Sequence, residues 1–249
     1  LANINNAEKY FCVSTDKAAN PVNMMGASKR IMELFLIRES ENQKISFARF
    51  ANVAFSDGSL LHGFNQRFLN KQPLSAPNDV KRYFVTRKES GQLCLMSCLF
   101  GENRDIFFPK LIEELHETNF ADIARRFLAF KGFEPYECYS EEEAREKTSE
   151  LIQKGKWPCY FFKSDTTGEK NLEEFYTQDE DVDISLFEDI GVVKNKLLYN
   201  NTKLKNFENS FRNWQVSKKR NKKDLVSIFR DCLPEFSHSE KGKFLDQRM

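Results

Sequence analysis

An apolar run at Lys9-Tyr10-Phe11-Cys12-Val13, a helical pattern from Met24 to Ile37 and a second apolar run from Ile45 to Ala54 open the chain in close succession. In the middle segment Met25, Ile31, Met32, Leu34, Phe35 and Ile37 recur at the spacing of a helix face. Strand, helix and strand in this order build a parallel sheet, because two parallel neighbours need a long crossover between them. This unit constrains the chain more than any other feature. It predicts an α/β layer fold in which ligands meet the carboxyl ends of the strands. Farther along, Phe64 to Asn70 and Lys88 to Phe100 read as helices and Asp105 to Phe108 as a short strand. Phe120 to Lys131 is amphipathic, with Ile123, Phe127, Leu128 and Phe130 apolar. Ser140 before three glutamates opens a helix with a capping-box-like start, Trp157 to Lys163 reads as a strand, and Asn171 to Tyr176 reads as a short helix.

Composition removes several classes of function. Lys and Arg number 38 against 37 Asp and Glu, so a net charge of +1 names no polyanionic partner and no nucleic acid is expected. With 40% apolar and 13% aromatic residues, the chain can bury one large core or two small ones. It contains no apolar run of about eighteen residues and no signal-peptide pattern, so a cytoplasmic location without a membrane segment is expected. Cys12, Cys94, Cys98, Cys138, Cys159 and Cys232 form no CxxC pair, and His62, His116 and His238 stand apart from them. Buried free thiols and no metal site are the expectation.

Charge is segregated along the chain. Residues 134–193 hold 17 acidic and 6 basic residues, and residues 194–223 hold 10 basic and 1 acidic. The basic run Lys218-Lys-Arg-Asn-Lys-Lys therefore reads as a solvated face or as a contact with the acidic stretch. Phe207, Phe211 and Trp214 recur beside it at the spacing of a helix face that packs on the body of the protein.

The chemistry concentrates in Ser14 to Lys29. Thr15, Asp16 and Lys17 directly follow the first predicted strand, and the next helix carries Lys29 to the same rim. An adjacent acid and base, with a second cation that favours loss of a proton from Lys17, make a proton-transfer set. The same residues also suit a turn and helix cap, where Ser-Thr-Asp and Asn-Pro are common.

The whole string STDKAANPVNMMGASKR (Ser14 to Arg30) closely resembles extended short-chain dehydrogenases/reductases that act on nucleotide sugars. The nearest branch is the bacterial polysaccharide-biosynthesis type, similar to UDP-N-acetylglucosamine 4,6-dehydratase. The resemblance continues in RFANVAFSDGSL (Arg49 to Leu60) and DVKRYFVTRKESGQL (Asp79 to Leu93), and more loosely from Thr167 to Phe175. It implies the carboxyl portion of a Rossmann-like parallel-sheet domain, a smaller α/β substrate lobe and a helical basic tail. The corresponding divisions are 1–133 for the sheet domain with part of the lobe, 134–193 for its acidic continuation, and 194–249 for the tail. Two departures stand out. Met25 replaces the tyrosine of the family's YxxxK pattern, which reads as a variant mechanism, and Thr166 stands where an arginine is expected, with Arg82 as its substitute.

The resemblance also implies a reaction. Bound NAD or NADP takes a hydride from C4 of the sugar of a UDP-sugar, water leaves across C5 and C6, and the hydride returns at C6. Asp16 would be the acid at the C6 hydroxyl, Lys17 the base at C5, and Thr15 the hydrogen-bond partner of the C4 oxygen. Lys29 would hold the nicotinamide ribose. Asn52 and Ser59 would meet the sugar nucleotide and Arg82 its diphosphate, since a guanidinium bonds phosphate oxygens in pairs. A homo-oligomer is expected. An epimerase of the same superfamily and a non-catalytic assembly module are the competing readings. No glycine-rich GxxGxxG turn for a dinucleotide pyrophosphate occurs in the 249 residues. Relatives carry that turn upstream, so a fragment of a longer enzyme, inactive in isolation, is expected, ending naturally at Met249.

Overall fold

The computed structural model describes residues 2–110, 118–164 and 173–238. In chain order the elements are β1 (Tyr10–Thr15), α1 (Met24–Glu39), β2 (Ile45–Phe50), β3 (Asn52–Val53), α2 (Leu60–Leu69), β4 (Leu74–Pro77) and β5 (Lys81–Arg82). Next come β6 (Phe84–Val85), α3 (Arg87–Phe100), β7 (Asp105–Pro109), β8 (Thr118–Asn119), α4 (Phe120–Phe130) and β9 (Glu134–Cys138). The last are α5 (Glu141–Glu146), α6 (Thr148–Gln153), β10 (Lys156–Phe162), β11 (Val182–Asp183), β12 (Ile190–Lys194), α7 (Asn201–Val216) and α8 (Lys222–Cys232). These elements form two compact units, one from residues 2–51, 88–110 and 173–238 and the other from 52–87 and 118–164. The units interleave along the chain, and residues 133 and 193 each fall inside one of them.

The first unit contains the expected parallel sheet, in the order β1-β2-β7-β12-β11. β1, β2 and β7 run parallel, β12 lies antiparallel to β7, and β11 pairs antiparallel with β12 at the edge. The register sets Ser14 beside Arg49 and Thr15 beside Phe50 at the carboxyl edge. Ala48, Phe107 and Val192 of the sheet pack with Leu93 of α3. The ammonium group of Lys9 donates to the carbonyls of Ser97, Cys98 and Gly101, which anchors the start of β1 to the end of α3.

Ala27 and Ile31 of α1 pack with Leu204, Phe229, Cys232, Leu233 and Phe236 of the α7–α8 region, and Phe207 and Phe211 add to this cluster. Phe207 and Phe211 stack at 5.7 Å, and Phe229 meets Phe207 edge-on at 5.2 Å. Phe207 and Phe211 therefore join the cluster of α1 and α8, Phe207 meeting Phe35 of α1 at 6.3 Å, whereas Trp214 stacks on Phe211. The charges take other partners: Glu180 of the acidic stretch pairs with Arg30 and Arg49, and Arg212 pairs with Glu208 of its own helix. Lys218, Lys219 and Arg220 are exposed. Because exposed charges contribute about 0–1 kcal/mol each, Phe211→Ser should open the tail to limited proteolysis far more than Lys219→Ser. Equal protection of the two variants would refute aromatic docking.

The second unit holds a parallel three-stranded sheet in the order β4-β10-β9, together with the pairs β3–β6 and β5–β8. Its core gathers Phe64, Leu74, Leu128 and Trp157. Phe68 stacks on Trp157 at 4.5 Å, and the indole donates to the Gln72 carbonyl at 3.0 Å.

Several sequence expectations shift here. The strand from Ile45 ends at Phe50, and Asn52–Val53 pairs separately with β6. α2 starts ahead of Phe64 because the Ser59 hydroxyl accepts from the His62 amide and caps it. Residues 173–176 are not helical, since Arg49 captures the Phe175 carbonyl that a helix would use internally. Residues 171 and 172, His116, Thr166 and the terminal Gly242 to Met249 lie outside the described residues. The six cysteines are free thiols, but only Cys138, Cys159 and Cys232 are buried, Cys12 and Cys94 being half-buried and Cys98 exposed. Among the described residues no helix is long and apolar enough to cross a membrane.

Candidate active site

β1 delivers its last residue, Thr15, to the carboxyl edge of the sheet, where a 3-10 turn takes over at Asp16–Ala18. The Thr15 hydroxyl donates to Asp16 Oδ1 at 2.7 Å. Lys17 Nζ donates to both carboxylate oxygens at 3.0 and 3.2 Å. Asp16 is 2% exposed and lies beneath its two partners, while a quarter of the Lys17 side chain, 26%, reaches the surface. The pair is thus layered, with the base outermost.

The next helix is held tightly over this turn. Asn23 caps α1 by accepting from the Gly26 amide at 2.8 Å. A Cβ on Gly26 would lie 2.2 Å from the Lys17 carbonyl oxygen, so no other residue fits this approach. Met25 occupies the first turn of α1 with 48% of its surface exposed. One turn on, Lys29 Nζ donates to the Val13 carbonyl at 3.3 Å. The first unit therefore gathers Thr15, Asp16, Lys17, Met25 and Lys29 around the end of β1.

Behind the turn lies a buried ion network that sequence reasoning did not assign. Ser14 Oγ donates to Glu33 Oε1 at 2.6 Å. Arg49, fully buried, donates to Glu33 through Nε and Nη2 at 3.0 and 2.8 Å, and to Glu180 through Nη1 and Nη2 at 2.7 and 2.8 Å. Arg30 bridges the same two carboxylates at 3.0 and 3.2 Å. Two cations and two anions balance, as burial of charge requires. Burial by itself would raise the Glu33 carboxyl, but the charge and hydrogen bonds of Arg49, with Arg30 and Ser14, pull it down to about 2. Glu180 is likewise held below its ordinary value, burial being outweighed by Arg49 and Arg30. The available signal was an arginine inside the apolar run from Ile45 to Phe50.

The second unit carries the other expected contacts. Asn52 Nδ2 donates to the Tyr83 carbonyl at 3.4 Å, the Ser59 hydroxyl caps α2, and Arg82, 7% exposed, donates to the Lys81 carbonyl at 2.8 Å. This unit also has a cavity of about 890 Å³ walled by Phe55, Phe84 and Phe127 and flanked by Arg87, Arg126 and Lys131. No acidic side chain lines it among the described residues. Phe55 sits at a φ of +56°, which is strained for a bulky side chain, and Arg87 donates to its carbonyl at 2.6 Å.

Residues 1–195 match the family model for polysaccharide biosynthesis proteins. The chain belongs to this family. A relative from Methanocaldococcus jannaschii, named an uncharacterized membrane protein, is 28% identical over 78% of the chain. The chain spans 56% of the length of that relative. A UDP-glucose 4-epimerase from Rickettsia bellii is 36% identical over 44% of the chain and 34% of the epimerase. The X-ray structure of Pen from Bacillus thuringiensis superimposes with a TM-score of 0.60 at 19% identity, covering 80% of this chain and 56% of that one, which supports the α/β fold.

Proposed function

We propose that this family member performs the proton transfers of a nucleotide-sugar 4,6-dehydratase, with a UDP-sugar, UDP-N-acetylglucosamine foremost, as substrate. The observation that carries the reading is the Asp16–Lys17 pair, in hydrogen-bond contact at the end of β1. Elimination across C5 and C6 needs a base at C5 and an acid at the C6 oxygen side by side, whereas exchange of configuration at C4 moves only the C4 hydroxyl proton and needs no such pair.

Lys29 fits the nicotinamide ribose: one ammonium proton is used by the Val13 carbonyl, and others are available to ribose hydroxyls. When bound, NAD or NADP would supply the hydride acceptor and donor for C4 and C6. The chain's own residues handle protons. A proton passing from Lys17 to Asp16 converts the ion pair into an amine and a carboxylic acid with no change in net charge. The Lys17 amine then removes the C5 proton, and Asp16 protonates the departing C6 oxygen, which leaves as water. As the hydride returns to C6, Lys17 gives a proton to C5, and uptake of the proton released earlier from the C4 hydroxyl restores the ion pair. Thr15, released from Asp16, donates to the C4 oxygen. Since Asp16 lies beneath Lys17, its proton reaches C6 only when the lysine side chain moves aside.

For the nucleotide, the aromatic walls and flanking cations make the cavity of the second unit suitable for a base and a diphosphate. Asn52, Ser59 and Arg82 do not line the cavity and are proposed as separate sugar-nucleotide contacts of the same unit. The likeness to a UDP-glucose 4-epimerase supports the rival reading. Incubation of the full-length protein with UDP-N-acetylglucosamine separates the two. A 4-keto-6-deoxy product lighter by one water is expected, and a C4 epimer of unchanged mass would overturn the proposal.

A further inference from the structure

The buried network and the segment that follows residue 172 lead to an assignment beyond the reacting groups. Arg49 donates to the Phe175 carbonyl at 2.8 Å and to Glu180, whose Oε2 also accepts from the Thr177 amide at 2.9 Å. Phe175 is buried and stacks on Phe108 at 5.9 Å, so this stretch is fixed to the sheet by both charge and packing. Through Glu33 the same arginine reaches Ser14, the residue immediately before Thr15. At the other end of the turn, Asn20 Nδ2 donates to Glu174 Oε2 at 3.1 Å. Asn20 stands at a φ of +46°, a left-handed conformation that asparagine and glycine tolerate, and it follows directly on Ala19, whose amide closes the turn on the Asp16 carbonyl at 3.1 Å.

We propose that residues 173–180 form a positioning strap for the turn that carries Thr15, Asp16 and Lys17, gripping its two ends through Arg49 and Asn20. The inference rests on the reading of Lys17 as the base. Ala18 and Ala19 are buried and Gly26 packs on the Lys17 carbonyl, but the loop that follows opens to solvent at Asn20. The Asn20–Glu174 bond closes that loop onto a segment already locked by a buried arginine, and reacting groups need such support from packed neighbours. Neither residue touches the reacting atoms in this account. They act through the turn.

The test uses surface variants, because loss of Arg49 would endanger folding. In the full-length protein, Asn20→Gly keeps the left-handed backbone and removes the amide, Glu174→Ala removes its partner, and Glu174→Gln preserves an acceptor. Asn20→Gly and Glu174→Ala should each lower kcat about tenfold or more with KM for the UDP-sugar near the parental value, and Glu174→Gln should recover most of the loss. Independently of activity, Glu174→Ala should speed amide exchange of Ala19 while leaving β2 protected. Parental kcat in Asn20→Gly and Glu174→Ala, or unchanged exchange at Ala19, would overturn the strap. A fully active Lys17→Ala variant would instead overturn the functional reading beneath it, so the two failures are separable.

Discussion

Lys17→Ala is expected to lower turnover by the full-length protein at least about a hundredfold with little change in substrate binding, since the proposed base works only in the transition state. Asp16→Asn is expected to be equally damaging. The amide retains an acceptor for the Thr15 hydroxyl, so the local hydrogen-bond frame can persist while the transferable proton is lost. This distinguishes the acid from a purely orienting carboxylate, a role its burial beneath Lys17 also suits. If orientation were its whole contribution, Asp16→Asn would be mild and only Asp16→Ala severe. Steady-state kinetics on these variants, scored by formation of the 4-keto-6-deoxy product, decides the matter.

The largest structural effect is expected at Arg49. Arg49→Leu leaves Glu33 and Glu180 facing each other in the interior with only the partly exposed Arg30 between them. Removing one partner of a buried ion set costs about 3–5 kcal/mol, a large share of the stability of an ordinary domain. Urea unfolding should therefore show a much lower midpoint, and a loss below about 1 kcal/mol would contradict the network's structural weight. Glu33→Gln should be milder, because an amide still accepts from Ser14 or Arg49. The pH dependence follows in sign. Glu33 has a folded value of about 2 against an ordinary 4.5, and a carboxyl depressed in the folded state adds stability above its ordinary value. That contribution is present at neutral pH and fades as pH falls from about 4.5 toward 2. Arg49→Leu should lose this acid sensitivity together with the stability.

The opening strand, helix and strand were legible because buried parallel strands and an amphipathic crossover have different hydrophobic periods, although β2 stops at Phe50, short of the Ala54 that its apolar run suggested. The tail's aromatic stripe was legible for the same reason. The segment after residue 172 was not: a short apolar and acidic run there reads as a helix, but Arg49, far away in sequence, fixes its backbone. Likewise, the interleaving of the two units depends on which strands pair across long separations, which local charge cannot reveal. At the site, Thr15, Asp16 and Lys17 stood out as polar residues at a strand end. The need for Gly26 did not, because it arises from the approach of α1 to the Lys17 carbonyl. Glu33, Arg49 and Glu180 were hidden by the ordinary expectation that charged residues face water.

The most direct test of the proton-transfer account is the reaction of the full-length protein with UDP-N-acetylglucosamine in deuterium oxide, followed by NMR of the sugar. The account predicts a 4-keto-6-deoxy product whose C5 hydrogen carries solvent deuterium, with both signals lost in Lys17→Ala. A C4 epimer with no solvent deuterium at C5, formed equally well by Lys17→Ala, would contradict it.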